Sequence, residues 1–394
     1  MKDLKNTRGT MGGLELSATL SITAKAKAMK AAGEDVLSLC AGEPDFDTPD
    51  HIKNAAIEAL NRGETKYTPE SGRPDLKEAC AEKFIRENNV PSSAAQIVVG
   101  PGAKFSIFSA IAALCGPGDE VVLGSPYWVS YPEMIKASGA TPVIVPCSAG
   151  NNYELDPEKL RTAVNPNTKL LILNSPSNPT GAVYRKETLE KIAKLAVEKN
   201  FMILSDEIYE KLTYDAKFPH ASIASFSKEI SDLTITVNGF SKAYAMTGWR
   251  LGYLTAPKWL TDRICALQSN TTSNPTTFAQ FGAIAALKGD QAPVETMRLA
   301  FAKRRDMIYK LMSEIPGVKC IRPQGAFYIF CDISSFGLNS WDFSGKLLSE
   351  TKTAVIPGQP FGAEGHIRLS YACSEQTIQK SVERIKGFCS KLKP

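Results

Sequence analysis

Lys242 stands behind Ser241 at the end of the apolar run TITVNGF (234–240), and Arg250 follows it closely. Asp206 ends the run FMILS (201–205), with Tyr209 three residues on. Pro101-Gly102-Ala103-Lys104 follows IVVG, Tyr127-Trp128 follows VVLGSP, and Asn174-Ser-Pro-Ser-Asn178-Pro-Thr-Gly181 follows LLIL. Each has an ordinary reading. A glycine turn into a helix start offers free N–H groups to an anion, yet such turns are common connections. Asp after a strand usually caps a helix, and Asn178-Pro-Thr-Gly is a good turn sequence in its own right. Trp128 alone reads as core, Lys242 as a solvated group, and Arg250 and Arg368 as surface ion pairs. Together they supply a Schiff-base lysine, a carboxylate for a ring nitrogen, an anion cradle and a stacking face, which is what pyridoxal phosphate requires.

The elements must bring these groups to one place. Seven runs, at 97–100, 120–126, 141–146, 169–176, 201–207, 234–240 and 252–257, hold three to five apolar or β-branched residues each without clean alternation, the pattern of strands buried on both faces. Amphipathic stretches such as 104–115 and 186–199 lie between them. The alternation predicts a mostly parallel sheet with helices on both faces. Ligands bind such sheets outside the carboxyl ends of the strands, where the residues above fall.

The chain ends differ. A helical pattern over 16–32 precedes the Gly-Glu-Pro loop at 42–44. A long charged helix over 294–315 leads into strand candidates GAFYIFCDI, TAVIPG and HIRLSYA and a last helix over 375–391. We expect an α/β fold with a large domain over 46–290, and a small α+β domain built from 1–45 and 291–394.

Composition excludes several classes. A net charge of +5 over 394 residues is too weak and dispersed for a nucleic-acid or membrane-surface footprint. Three separated histidines, His51, His220 and His366, argue against a histidine metal site, and no metal is expected. Nine cysteines without a C-x-x-C pair read as reduced thiols in a cytoplasmic protein. No secretory h-region or membrane-length apolar run is present. No G-x-G-x-x-G follows a strand, which argues against a dinucleotide oxidoreductase. A pyridoxal-binding regulator would need a DNA-binding domain, and none is expected before Ser17.

The segment Gly239-Phe-Ser-Lys242-Ala-Tyr-Ala-Met-Thr-Gly-Trp-Arg250-Leu-Gly252 resembles the lysine signature of fold-type I, class I pyridoxal-phosphate aminotransferases. The order GEPDF (42–46), KYTPESG (66–72), PYWVSYPEM (126–134), SPSNPTG (175–181), SDEIYE (205–210) and IRLSYA (367–372) is similar to the bacterial and plastid aspartate or aspartate/prephenate subgroup. The resemblance implies that Lys242 holds the cofactor and moves the proton at the substrate α-carbon. By the same token Asp206 pairs with the ring nitrogen, Tyr209 and Asn178 with the phenolic oxygen, and Trp128 stacks. Ala103, Lys104, Ser241, Arg250 and Tyr67 of a second subunit would hold the phosphate, so a homodimer is implied. Arg368 would grip the substrate α-carboxylate as a bidentate fork, with Gly42 a backbone donor and Trp128 and Asn178 alongside. Lys104 would read a distal carboxylate, helped by Ser17 or Thr19.

The implied reaction is reversible, ping-pong transfer of the amino group from L-aspartate to 2-oxoglutarate. Prephenate, alanine or aromatic substrates, and a lyase on the same fold, are the alternatives. Two departures stand out. Gly239 replaces a serine hydroxyl that many class I enzymes offer the phosphate. Glu15 precedes Leu16-Ser17-Ala18-Thr19 where prephenate users commonly have lysine, which argues against prephenate.

Overall fold

The computed structural model describes Leu14 and residues 18–392, with side chains for Leu14 and from residue 22 onward. Glu15, Ser17 and the Thr19 side chain, on which the prephenate and distal-carboxylate expectations bear, lie outside the described residues.

Seven strands form the central sheet: β1 (Ile97–Gly100), β2 (Glu120–Ser125), β3 (Thr141–Pro146), β4 (Thr168–Asn174), β5 (Met202–Asp206), β6 (Thr234–Gly239) and β7 (Gly252–Thr255). Their order is β1-β7-β6-β5-β4-β2-β3. All neighbours run parallel except β7, which is antiparallel to both β1 and β6. The expected mostly parallel sheet is therefore present, with each strand at its predicted place. The exception to two-faced burial is β3, an edge strand that leaves Ile144 40% exposed, because an edge is covered by fewer helices.

Three glycines lie abreast where β1, β7 and β6 meet: Gly252 pairs with both Gly100 and Gly239. A Cβ on Gly252 would overlap the Ala103 amide nitrogen. The missing side chain lets the helix α2 (Ala103–Leu114) start against the sheet. Gly102 before it has φ +94°. At the Gly239 departure a Cβ would fit tightly, 3.0 Å from Ile208 Cδ1 and 3.3 Å from Gly252 Cα.

The C-terminal part forms a four-stranded antiparallel sheet in the order Ile356–Pro357, His366–Ser370, Tyr328–Asp332, Lys319–Cys320. Helices Ala292–Ser313, Ser340–Thr351 and Glu375–Leu392 accompany it. Its core holds Phe301, Phe327, Phe343, Ile367, Ile385 and Phe388, each contributing about 1.5–3 kcal/mol relative to an exposed side chain. The N-terminal segment joins this part. Leu37–Ser38 pairs in parallel with Thr353–Ala354, and Ala26, Val36 and Cys40 share a core with Phe330, Ala354, Ile356 and Phe361.

Candidate active site

A cavity of about 800 Å³ opens at the carboxyl ends of the central strands. Gly42, Ala103, Lys104, Trp128, Asn178, Asp206, Tyr209, Ser241, Lys242, Arg250 and Arg368 all line it. Of the expected cofactor and substrate residues whose side chains are described, Tyr67 alone lies elsewhere, 91% exposed and outside the cavity.

Asp206 ends β5 beside Asn174 at the end of β4, because parallel register sets these two residues opposite one another. Its Oδ2 accepts from Tyr131 Oη at 2.7 Å and its Oδ1 from the Ile208 amide at 3.2 Å. Burial pushes the Asp206 carboxyl up to about 6, although both hydrogen bonds oppose it. A buried carboxylate in this state gains from a cationic partner.

Lys242 lies in the connection between β6 and β7 and donates to the Gly42 carbonyl. Gly42 was expected to supply a donor; the bond it makes here is through its acceptor. Burial pushes Lys242 down to about 8; Glu43 opposes that, while Arg250 and Arg368 add to it. Such an amine can lose its proton near neutrality and act as a base or nucleophile.

Arg250 occupies the left-handed region at φ +55° and packs over Gly102, whose added Cβ would lie 2.5 Å from Nη2. Its Nη1 donates to the Thr247 carbonyl at 2.9 Å. Arg250 thus overhangs the start of α2 next to Ala103 and Lys104, forming an electropositive corner. Lys104 Nζ sits 4.9 Å from the Trp128 ring centroid; burial and then Arg250 lower its pKa.

Arg368, which also lines the cavity, is 3% exposed. Its Nη1 donates to Asn178 Oδ1 at 3.0 Å and its Nη2 to the Cys40 carbonyl at 2.9 Å, with the guanidinium 4.4 Å from the Tyr328 ring centroid. The buried Nε has no protein partner. An unpaired buried donor on a fixed fork suits a carboxylate. Tyr209 Oη shares a hydrogen bond of 3.0 Å with Tyr328 Oη, and burial holds Tyr209 well above the usual phenol range.

Sequence reasoning missed Tyr131, Tyr328 and the Cys40 carbonyl. Tyr131 stands three residues after Trp128 at the start of helix Ser130–Ala137, and its ring meets Trp128 edge to face at 5.2 Å. That i, i+3 spacing was the available signal. Tyr328 and Cys40 carry none, since they meet Arg368 only through the tertiary fold. Among the described residues one group has a metal-like arrangement, Glu207, Glu210 and His220; it lies off the cavity, and Lys83 pairs with Glu210 within it.

The donor set fits a phosphorylated heterocycle and an amino acid: one cavity carries the electropositive corner, the Asp206 carboxyl, the Lys242 amine and the Arg368 fork. The family model for class I and II aminotransferases matches residues 34–385. The aspartate aminotransferase of Geobacillus stearothermophilus is 47% identical over 383 residues, covering 96% of this chain and 97% of its own. The probable aspartate/prephenate aminotransferase of Aquifex aeolicus is 48% identical, covering 97% and 98%. A solved aspartate aminotransferase from Thermus thermophilus with maleate superposes with a TM-score of 0.93 at 44% identity, over 97% of this chain and 100% of the other. With a matched region that runs from before the Gly42 loop to beyond Arg368, the chain belongs to the class I and II aminotransferases.

Proposed function

We propose that this protein is a pyridoxal-phosphate-dependent aspartate aminotransferase that moves the amino group of L-aspartate to 2-oxoglutarate, giving oxaloacetate and L-glutamate. The observation that carries this reading is one cavity walled by Lys242, Asp206 and Arg368, the last with an unpaired buried nitrogen. The names of the relatives from Geobacillus stearothermophilus and Bacillus subtilis support aspartate as the donor.

Bound pyridoxal phosphate supplies an electron sink for the charge left on the substrate α-carbon. The remaining work falls to the chain. The backbone turn at Ala103 and Lys104, with Ser241 and Arg250, would hold the phosphate, and Tyr67 would reach in from a second subunit. Asp206 keeps the ring nitrogen protonated, with Tyr131 holding its carboxylate. Trp128 covers the ring face, and Asn178 and Tyr209 bond the phenolic oxygen. Arg368 takes the α-carboxylate, and Lys104 faces the distal one. Lys242, free to lose its proton near neutral pH, carries the proton to and from the α-carbon. The protein acts as a cytoplasmic homodimer; its nine free cysteines suit a reducing compartment. The division into units at 46 and 290 is part of the same proposal, supported by the helix that begins at Ala292 and by the shared core of the two chain ends.

The test is a donor panel with 2-oxoglutarate and oxaloacetate as acceptors, including prephenate, the second substrate named for several relatives. Aspartate should give the highest kcat/KM, and aspartate without a keto acid should stop after one turnover per site. Continuous ammonia or pyruvate release would establish a lyase instead.

A further inference from the structure

The turn that follows β5 has two faces. Asp206 and Tyr209 line the cavity, whereas Glu207 and Glu210 do not. The Glu210 amide donates to the Glu207 carbonyl at 2.9 Å, closing a turn between the two. Glu207 is 0% exposed and Glu210 9%. Buried carboxylates are costly without partners, and here the partners are numerous. Glu207 accepts from Ser205 Oγ at 2.8 Å, Ser222 Oγ at 2.7 Å, Asn88 Nδ2 at 3.2 Å and His220 Nε2 at 3.0 Å. Glu210 takes Lys83 Nζ and Asn88 Nδ2 at 2.5 Å.

Lys83 and Asn88 come from the last turns of helix α1 (Pro74–Asn88), where Asn89 in the left-handed region ends the helix. Lys83 Nζ also donates to Asn88 Oδ1 at 2.7 Å, which makes the three residues one closed network. The charges that face His220 are Glu207, Glu210 and Lys83; burial opposes its protonation, but the two glutamates outweigh this and raise its pKa. Burial likewise opposes ionisation of Glu210, and Lys83, His220 and Asn88 bring it down to about 2. None of the five residues touches the cavity. They hold the two backbone positions interleaved with Asp206 and Tyr209.

We propose that Lys83, Asn88, Glu207, Glu210 and His220 form a buried clamp that positions Asp206 and Tyr209 from behind, acting on the reaction through those two residues. The inference rests on the cofactor reading above. With the side chains of Glu207 and Glu210 anchored, the backbone that carries Asp206 and Tyr209 cannot shift without straining a buried ionic or hydrogen bond. The two groups then meet the ring nitrogen and phenolic oxygen already oriented.

The experiment compares holoenzymes. Lys83→Met with Glu210→Gln removes the charge pair at nearly constant volume, a paired replacement that leaves folding close to intact. The expected result is a melting temperature and a KM for aspartate near wild type, since Arg368 stands outside the clamp. With them should come a roughly tenfold or larger fall in kcat from misaligned groups. The pH midpoint of the bound cofactor's visible absorption band should shift as well. A folded double variant with wild-type kcat and midpoint overturns the proposal. His220→Gln provides a second reading should the double variant fail to fold: it must move the same midpoint, and an unchanged midpoint overturns the clamp. If the wild-type protein develops no visible band with pyridoxal phosphate, the cofactor reading falls and the clamp's role with it, so the wild-type spectrum tells the two failures apart.

Discussion

Asp206 is held at a cost that shows when no cationic ring is present. Its carboxyl is pushed up to about 6 from an ordinary 3.8, so the folded protein binds this proton more tightly than the unfolded chain does. Stability contributed by this group therefore falls as pH rises from about 4 to 6. The penalty is complete above that window and absent below it. Asp206→Asn should stabilise the cofactor-free protein at pH 7 by roughly 1–3 kcal/mol, and the gain should vanish near pH 4; thermal melts at both values check this. The same variant should bind the cofactor weakly. Lys104→Ala should cut kcat/KM for dicarboxylic donors by the ~1.5–3 kcal/mol of a charged hydrogen bond and leave alanine little changed; equal losses would remove Lys104 from substrate recognition. At this scale the sequence is legible where a residue follows a strand, as Lys242, Asp206 and Trp128 do. It is silent on Tyr328 and Lys83, because their partners Arg368 and Glu210 are distant in the chain and only packing joins them.

The strands were readable because each holds a short apolar or β-branched run without clean alternation, as two-faced burial demands; β1, β5, β6 and β7 are buried at every position. What the runs do not encode is order or direction. Nothing in GYLT announces that β7 runs against its neighbours, although that reversal sets Lys242 and Arg250 at the two ends of one short connection. Gly252 is the element's least replaceable residue. Gly252→Ala would drive a methyl into the Ala103 amide and push the start of α2 off the sheet. The expected stability loss is about 1–3 kcal/mol or more, with a weakened hold on the cofactor phosphate. Urea unfolding and cofactor titration measure both; retention of wild-type affinity would show that the α2 terminus does not carry the anion.

For the whole molecule, Tyr67 gives the sharpest test of assembly. If its hydroxyl completes a neighbouring site, Tyr67→Ala and Lys242→Ala are defective in different ways, and a hybrid dimer contains one site with both residues intact. Mixing the two inactive variants under exchanging conditions should recover roughly a quarter of wild-type activity, as random pairing of a two-fold dimer requires. No recovery after demonstrated exchange would place Tyr67 outside catalysis. The pairing of Leu37–Ser38 with Thr353–Ala354 has a further consequence, which concerns time. A ribosome releases roughly 5–20 residues per second, so the first of these strands waits on the order of 15–60 s for the second to emerge. During that interval the β1–β7 sheet can close, while Val36 and Cys40 lack the apolar neighbours that will cover them. A nascent chain halted before residue 353 should therefore engage chaperones through its own first fifty residues.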